Sequence, residues 1–133
     1  MKKLFISCPM RGRTDEAIKD SMEKMHKIAE IVFGEELEVI DSYINEKPEC
    51  KRTAIWCLGV SLELMADADY FIGPADWFAE SFDGCSIERE VARRYDIPRT
   101  HVNCRELMPD LAEIEQRNAQ TPGEMSSVLA VGV

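Results

Sequence analysis

The chain has 133 residues, enough for one domain with a substantial core and too few for two. Its 16 basic and 25 acidic side chains leave a formal charge of −9, which argues against a nucleic acid polymer or an anionic membrane surface as the main partner. No apolar run approaches the roughly 18 residues of a membrane span, and Leu4-Phe5-Ile6 is too short for a signal peptide, so no membrane partner and a cytoplasmic location are expected.

Strand and helix signals alternate along the chain. Lys3–Ser7 reads as a short apolar strand running into the turn-rich loop Cys8-Pro9-Met10-Arg11-Gly12-Arg13. Thr14 is a good N-cap, with Asp15 and Glu16 suited to a first helical turn. Ile18, Met22, Met25, Ala29 and Val32 recur at spacings of three and four, and Gly34 closes this helix. Leu37–Asp41 is a second strand, and polar Ser42–Lys51, with Pro48, is a loop. Ile55, Leu58, Leu62 and Met65 mark a helix from about Arg52 to Ala66. Asp69–Gly73 is a third strand, Pro74–Asp83 a loop, and Gly84 opens a third helix carrying Ile87, Val91 and Ala92. A strand near Thr100–Asn103 and a helix over Glu106–Asn118 complete a domain of residues 1–118, with 119–133 as a tail.

This alternation predicts a single-domain α/β fold, a doubly wound parallel sheet of four to five strands flanked by helices, Rossmann- or flavodoxin-like. Ligands of such sheets bind at the carboxyl ends of the strands. Two loops are therefore expected to share a cleft: Ser7–Arg13 after the first strand and Gly73–Gly84 after the third. The second belongs to an unusual stretch. Residues 67–88 hold six carboxylates, five of the ten aromatics and no Lys or Arg.

Glu88 lies four residues after Gly84. It is either a solvated helix-surface side chain or a sheltered carboxylate, kept ionised by the helix N-terminus and able to attack a sugar carbon. Asp69 reads as a turn residue at the start of a strand or as a second site carboxylate. Asp76, Ser81 and Asp83 could hold sugar hydroxyls. The Ser7–Gly12 loop is either an anion cradle using backbone N–H groups and Arg11, or an exposed turn with two solvated arginines, Arg11 and Arg13. Five cysteines without CxxC spacing indicate neither disulfides nor a metal site, and no cofactor motif is present. Cys8 and Cys85 are nucleophilic thiols or, more simply, small buried residues. His26 and His101 stand alone.

Three segments resemble the nucleoside 2-deoxyribosyltransferase-like superfamily, in a small branch common in phages and prophages. Phe5-Ile6-Ser7-Cys8-Pro9-Met10-Arg11-Gly12 is similar to its first strand and loop, 58–72 to its second helix and third strand, and Ser81–Glu88 to its Gly-x-x-x-Glu signature, with Phe82 where the family often has Asp or Ser. The resemblance implies cleavage or transfer of the N-glycosidic bond of a (deoxy)nucleoside or nucleoside 5′-monophosphate. Glu88 would be the nucleophile and form a covalent glycosyl-enzyme, and Asp69 would hold sugar and base. Ser7, Pro9, Met10, Arg11, Gly12, Asp76, Trp77, Ser81, Asp83 and Gly84 would bind substrate, with no metal or cofactor. It also implies a homo-oligomer, a dimer or larger. The alternative is a non-catalytic nucleotide-binding protein, a sensor or sponge, using the same cleft.

Overall fold

Leu4, Phe5 and Ile6 are consecutive apolar residues, and so are Phe71 and Ile72. Such runs are the pattern of strands covered on both faces. In a computed structural model describing residues 1–44, 46–75 and 82–114, they form the two central strands of a four-stranded, all-parallel sheet. In chain order the elements are β1 (Lys2–Ile6), α1 (Asp15–Phe33), β2 (Leu37–Val39), α2 (Thr53–Met65), β3 (Tyr70–Pro74), α3 (Asp83–Arg94), β4 (Arg99–Val102) and α4 (Cys104–Leu107). The strand order β2-β1-β3-β4 is the flavodoxin-like winding, whose direction reverses between β1 and β3. Register pairs Leu4 with Tyr70 and Ile6 with Ile72 across that switch point.

The period of two along each strand sorts the core. Leu4, Ile6 and Ile72 pack with Ile18, Met25 and Ala29 of α1 on one face. Phe5 and Phe71 pack with Met65 of α2 and Ala92 of α3 on the other. The Phe5 and Phe71 rings stack at 6.0 Å between centroids on that second face.

Helix α1 begins and ends as its sequence indicates. The Thr14 hydroxyl accepts from the Ala17 N–H at 3.1 Å, and Gly34, at φ +73°, donates its N–H to the Glu30 carbonyl. The expected helix over 106–118 is different. A four-residue α4 ends at Leu107, and helix resumes over 110–114. Pro109 causes the break, because the residue before a proline is driven out of the helical region, and Met108 sits at φ −130° and ψ +75°. The end of that helix and the 118/119 boundary lie outside the described residues.

Candidate active site

The cleft sits over the α2–α3 face of the sheet, beside the carboxyl end of β1. Ser7 follows β1 and extends it, its N–H donating to the Ile72 carbonyl at 2.8 Å. By alternation Ser7 shares the face of Phe5. Its hydroxyl donates to Glu88 Oε1 at 2.6 Å. Helix α3 thus delivers Glu88 onto the end of β1 from 81 residues further along the chain.

Glycine at 73 makes room for this contact. A Cβ there would lie 2.9 Å from the Phe71 ring and 3.2 Å from the Ser7 Cβ. Gly73→Ala should therefore lower the unfolding free energy by about 1–3 kcal/mol through overpacking, read from the urea midpoint. An unchanged midpoint would contradict this close approach.

A cavity of about 160 Å³ opens beside Glu88. Among the described residues its walls are Phe5, Ile6, Cys8 and Met10 from β1 and its loop, and Ser42, Ile44 and Lys47 from the segment after β2. Thr53, Ala54, Cys57 and Ser61 of α2 complete it. Glu88 is 3% exposed and the only carboxylate among these described walls. Burial raises its pKa to about 7, against opposing hydrogen bonds from Ser7 and Ser61. The expected ionisation by the helix N-terminus is thus outweighed. Glu88 lies beyond the first turn of α3, where the dipole's influence has fallen off, and loss of water dominates.

Ser7→Ala removes a hydrogen bond to the charged form. The Glu88 midpoint should then rise further, by about one pH unit, in an infrared titration of the buried carboxyl band. An unmoved midpoint would mean that Ser7 does not tune this group.

Other expected site residues are dispersed. Asp69 lies at the opposite edge of the sheet. Its carboxylate accepts from the Lys3 N–H at 2.8 Å and its own N–H donates to the Lys3 carbonyl, so it seals the amino end of the β1–β3 ladder. Ser7 is four residues further along β1 than Lys3, about 13 Å away at the strand rise. Catalytic carboxylates on one sugar sit about 5–9.5 Å apart, and the structure does not bring Asp69 and Glu88 onto the same edge of the sheet.

The Ser7–Arg13 loop is not an exposed turn with two solvated arginines. It wraps around Arg13, whose side chain is fully buried. The guanidinium donates to Asp110 at 2.8 and 3.0 Å, to the Pro9 carbonyl at 2.8 Å and to Ser21 Oγ at 2.6 Å. The turn closes through the Arg13 N–H and the Met10 carbonyl at 3.1 Å, and Gly12 takes φ +77°, which favours glycine. Arg11 turns instead to Phe82, 5.5 Å above the ring, and feels the charge of exposed Asp83. This contact joins the loop after β1 to the start of α3, but Arg11 is not among the described cavity walls. Gly84 is buried in the first turn of α3. Asp76, Trp77 and Ser81 lie outside the described residues.

Cys8 and Cys85 are small buried residues. Burial pushes Cys8 up to about 11 and raises Cys85 as well, so neither supplies a thiolate near neutral pH. The residues that sequence reasoning missed are Ser61, Cys57, Thr53, Lys47 and Ser42. One signal was present: Ala54, Cys57 and Ser61 place small side chains on one side of an otherwise bulky helix, which leaves space beside it.

Among the described residues no group of His, Cys, Asp and Glu could hold a metal ion, and no helix is long and apolar enough to cross a membrane. No family model, no curated protein and no solved structure matches the chain.

Proposed function

We propose that the chain cleaves the N-glycosidic bond of a (deoxy)nucleoside or nucleoside 5′-monophosphate, with Glu88 as nucleophile. The observation that carries this reading is a buried carboxyl, hydrogen-bonded by Ser7 and Ser61, in a cavity at the carboxyl end of a parallel sheet. The likeness of Ser81–Glu88 to the Gly-x-x-x-Glu signature of the nucleoside 2-deoxyribosyltransferase-like superfamily supports it from the sequence.

In this reading a Glu88 oxygen bonds to C1′ as the bond from C1′ to the base nitrogen breaks. The base leaves with the electron pair and takes a proton from solvent. Water or a second base then attacks C1′ and frees Glu88, giving hydrolysis or transfer. A pKa near 7 leaves a substantial carboxylate fraction at neutral pH, and positive charge developing on the bound sugar favours that form.

One observation favours the second reading, a nucleotide-binding protein without turnover. Glu88 has no second carboxylate beside it among the described cavity walls, and Asp69 is at the other edge of the sheet.

Incubation with the common nucleosides and their 5′-monophosphates, followed by chromatography, distinguishes the two. Free base from wild type but not from Glu88→Gln supports the enzyme, as does a mass increase of one glycosyl group on the protein. Retention of an intact nucleotide without cleavage supports the binder. Neither release nor binding removes both readings.

A further inference from the structure

The cavity beside Glu88 runs along one side of α2, from Ser61 back to Thr53 and Ala54 in the first turn. Glu88 is held at the Ser61 end. Eight residues of helix separate Ser61 from Thr53, about 12 Å at the helical rise. The far end of the cavity is therefore a helix N-terminus, to which cleavage at Glu88 assigns no role.

Three kinds of group meet on this part of the wall. The first is backbone. Arg52, at the N-cap, makes no side-chain cap, and the Ile55 and Trp56 N–H groups both donate to its carbonyl, at 3.0 and 3.2 Å. The Thr53 and Ala54 N–H groups have no backbone acceptor among the described residues, and they lie where the helix dipole favours an anion. No acidic side chain in the first turn takes that place. The second is a buried hydroxyl. Ser42 is 6% exposed and lines the same cavity, yet no hydrogen bond engages its side chain among the described residues. Buried hydroxyls are ordinarily partnered, so this one points to a contact made from the cavity side. The third is a cation. Lys47 and Glu88 are the only charged side chains among the described walls. Lys47 is exposed, and no ion pair engages it among the described residues. Burial, Ser7 and Ser61 account for the state of Glu88 with no share from Lys47, so the two charges stand apart. The contact of Cys50 Sγ with Thr53 Oγ1 at 3.8 Å ties the segment carrying Lys47 to the start of α2.

We propose that Thr53, Ala54, Ser42 and Lys47 form an anion subsite that takes the 5′-phosphate of a nucleoside monophosphate, with C1′ turned toward Glu88. A phosphate offers acceptor oxygens to the N–H and O–H groups and charge to the ammonium and the helix dipole. The length of α2 between Thr53 and Ser61 leaves room for a ribose between the two ends. The subsite rests on the reading of this cavity as a nucleotide site and narrows it to the phosphorylated compound. In a chain of charge −9, such a local positive spot also offsets the repulsion a nucleotide meets elsewhere.

Calorimetric titration of the full chain carrying Glu88→Gln tests this without turnover. The ligands are the common nucleoside 5′-monophosphates and their parent nucleosides. The best-bound monophosphate should bind about tenfold or more tightly than its nucleoside, as charge-assisted hydrogen bonds require. Adding Lys47→Gln or Ser42→Ala should shrink that ratio severalfold, whereas Lys47→Arg should keep most of it, because the charge remains. Added salt should weaken the monophosphate far more than the nucleoside. Lys47 is exposed, so an unchanged melting profile should accompany its replacement. Equal affinity for monophosphate and nucleoside overturns the subsite and leaves the role of Glu88 standing. So does a phosphate preference that survives both Lys47→Gln and Ser42→Ala. Binding of neither ligand overturns the subsite together with the nucleotide reading of the cavity.

Discussion

Glu88→Gln should cut base release by about 10³-fold or more while making the protein more stable at alkaline pH. The two effects share one cause, a carboxyl held where water does not reach it. In the unfolded chain this group has its ordinary value of 4.5, and in the fold burial raises it to about 7. Below the lower value both states are protonated and the group costs nothing. Between the two values the folded chain holds the proton more tightly, so stability falls as pH rises. Above about 7 the full penalty is present, on the order of 3 kcal/mol. Glutamine does not titrate, so the variant should lose this decline in urea denaturation across pH. Curves for the two proteins that stay parallel would mean that Glu88 is solvated in solution. Unchanged base release would remove it from the nucleophile role.

The second large effect falls outside the cavity. Arg13→Met should lower the unfolding free energy by about 3–5 kcal/mol, a large part of the roughly 5–15 kcal/mol that a domain has. The guanidinium satisfies the Pro9 carbonyl, Ser21 and Asp110 together, and it holds the Asp110 carboxyl below its ordinary value. Lysine should not rescue, because a point charge cannot reproduce the two parallel bonds to Asp110. Asp110→Asn should also be costly, since it leaves a fully buried cation without its counter-charge. The double variant should cost less than the two singles added together, because the second change removes a group the first has already orphaned. Additive losses, measured by urea denaturation, would show that the pair is not coupled.

What was legible in the sequence follows the range of the interactions concerned. Thr14 and Gly34 bound α1 through contacts within four residues, so the local pattern sufficed. The α/β alternation was equally legible, because apolar runs and helical spacing are local. The interruption at Pro109 was also local, and reading through it joined two short helical pieces into one. Asp69 could have been placed from topology alone. A residue that opens a parallel strand lies at the amino edge, while ligands gather at the carboxyl edge. Its role as a second site carboxylate and the sheet rule were therefore incompatible from the start. Arg13 was not legible: its counter-ion is 97 residues away, and nothing near Arg-Gly-Arg announces burial. Glu88 falls between these cases. Its spacing from Gly84 put it near the cleft, but its hydrogen bonds come from Ser7 and Ser61, on two other elements.

The Arg13–Asp110 pair also orders events in time. A guanidinium cannot be dehydrated ahead of its counter-charge without a penalty of several kcal/mol. During synthesis β1, the following loop and α1 emerge well before residue 110. Until then, closing that loop around Arg13 is unfavourable, although α1 has its own caps. The carbonyl of Pro9 gains its guanidinium bond in the same event. Docking of 110–114 thus acts as a late latch, closing the 97-residue span between Arg13 and Asp110. A nascent chain halted before residue 110 should have a formed α1 and an unlocked first loop.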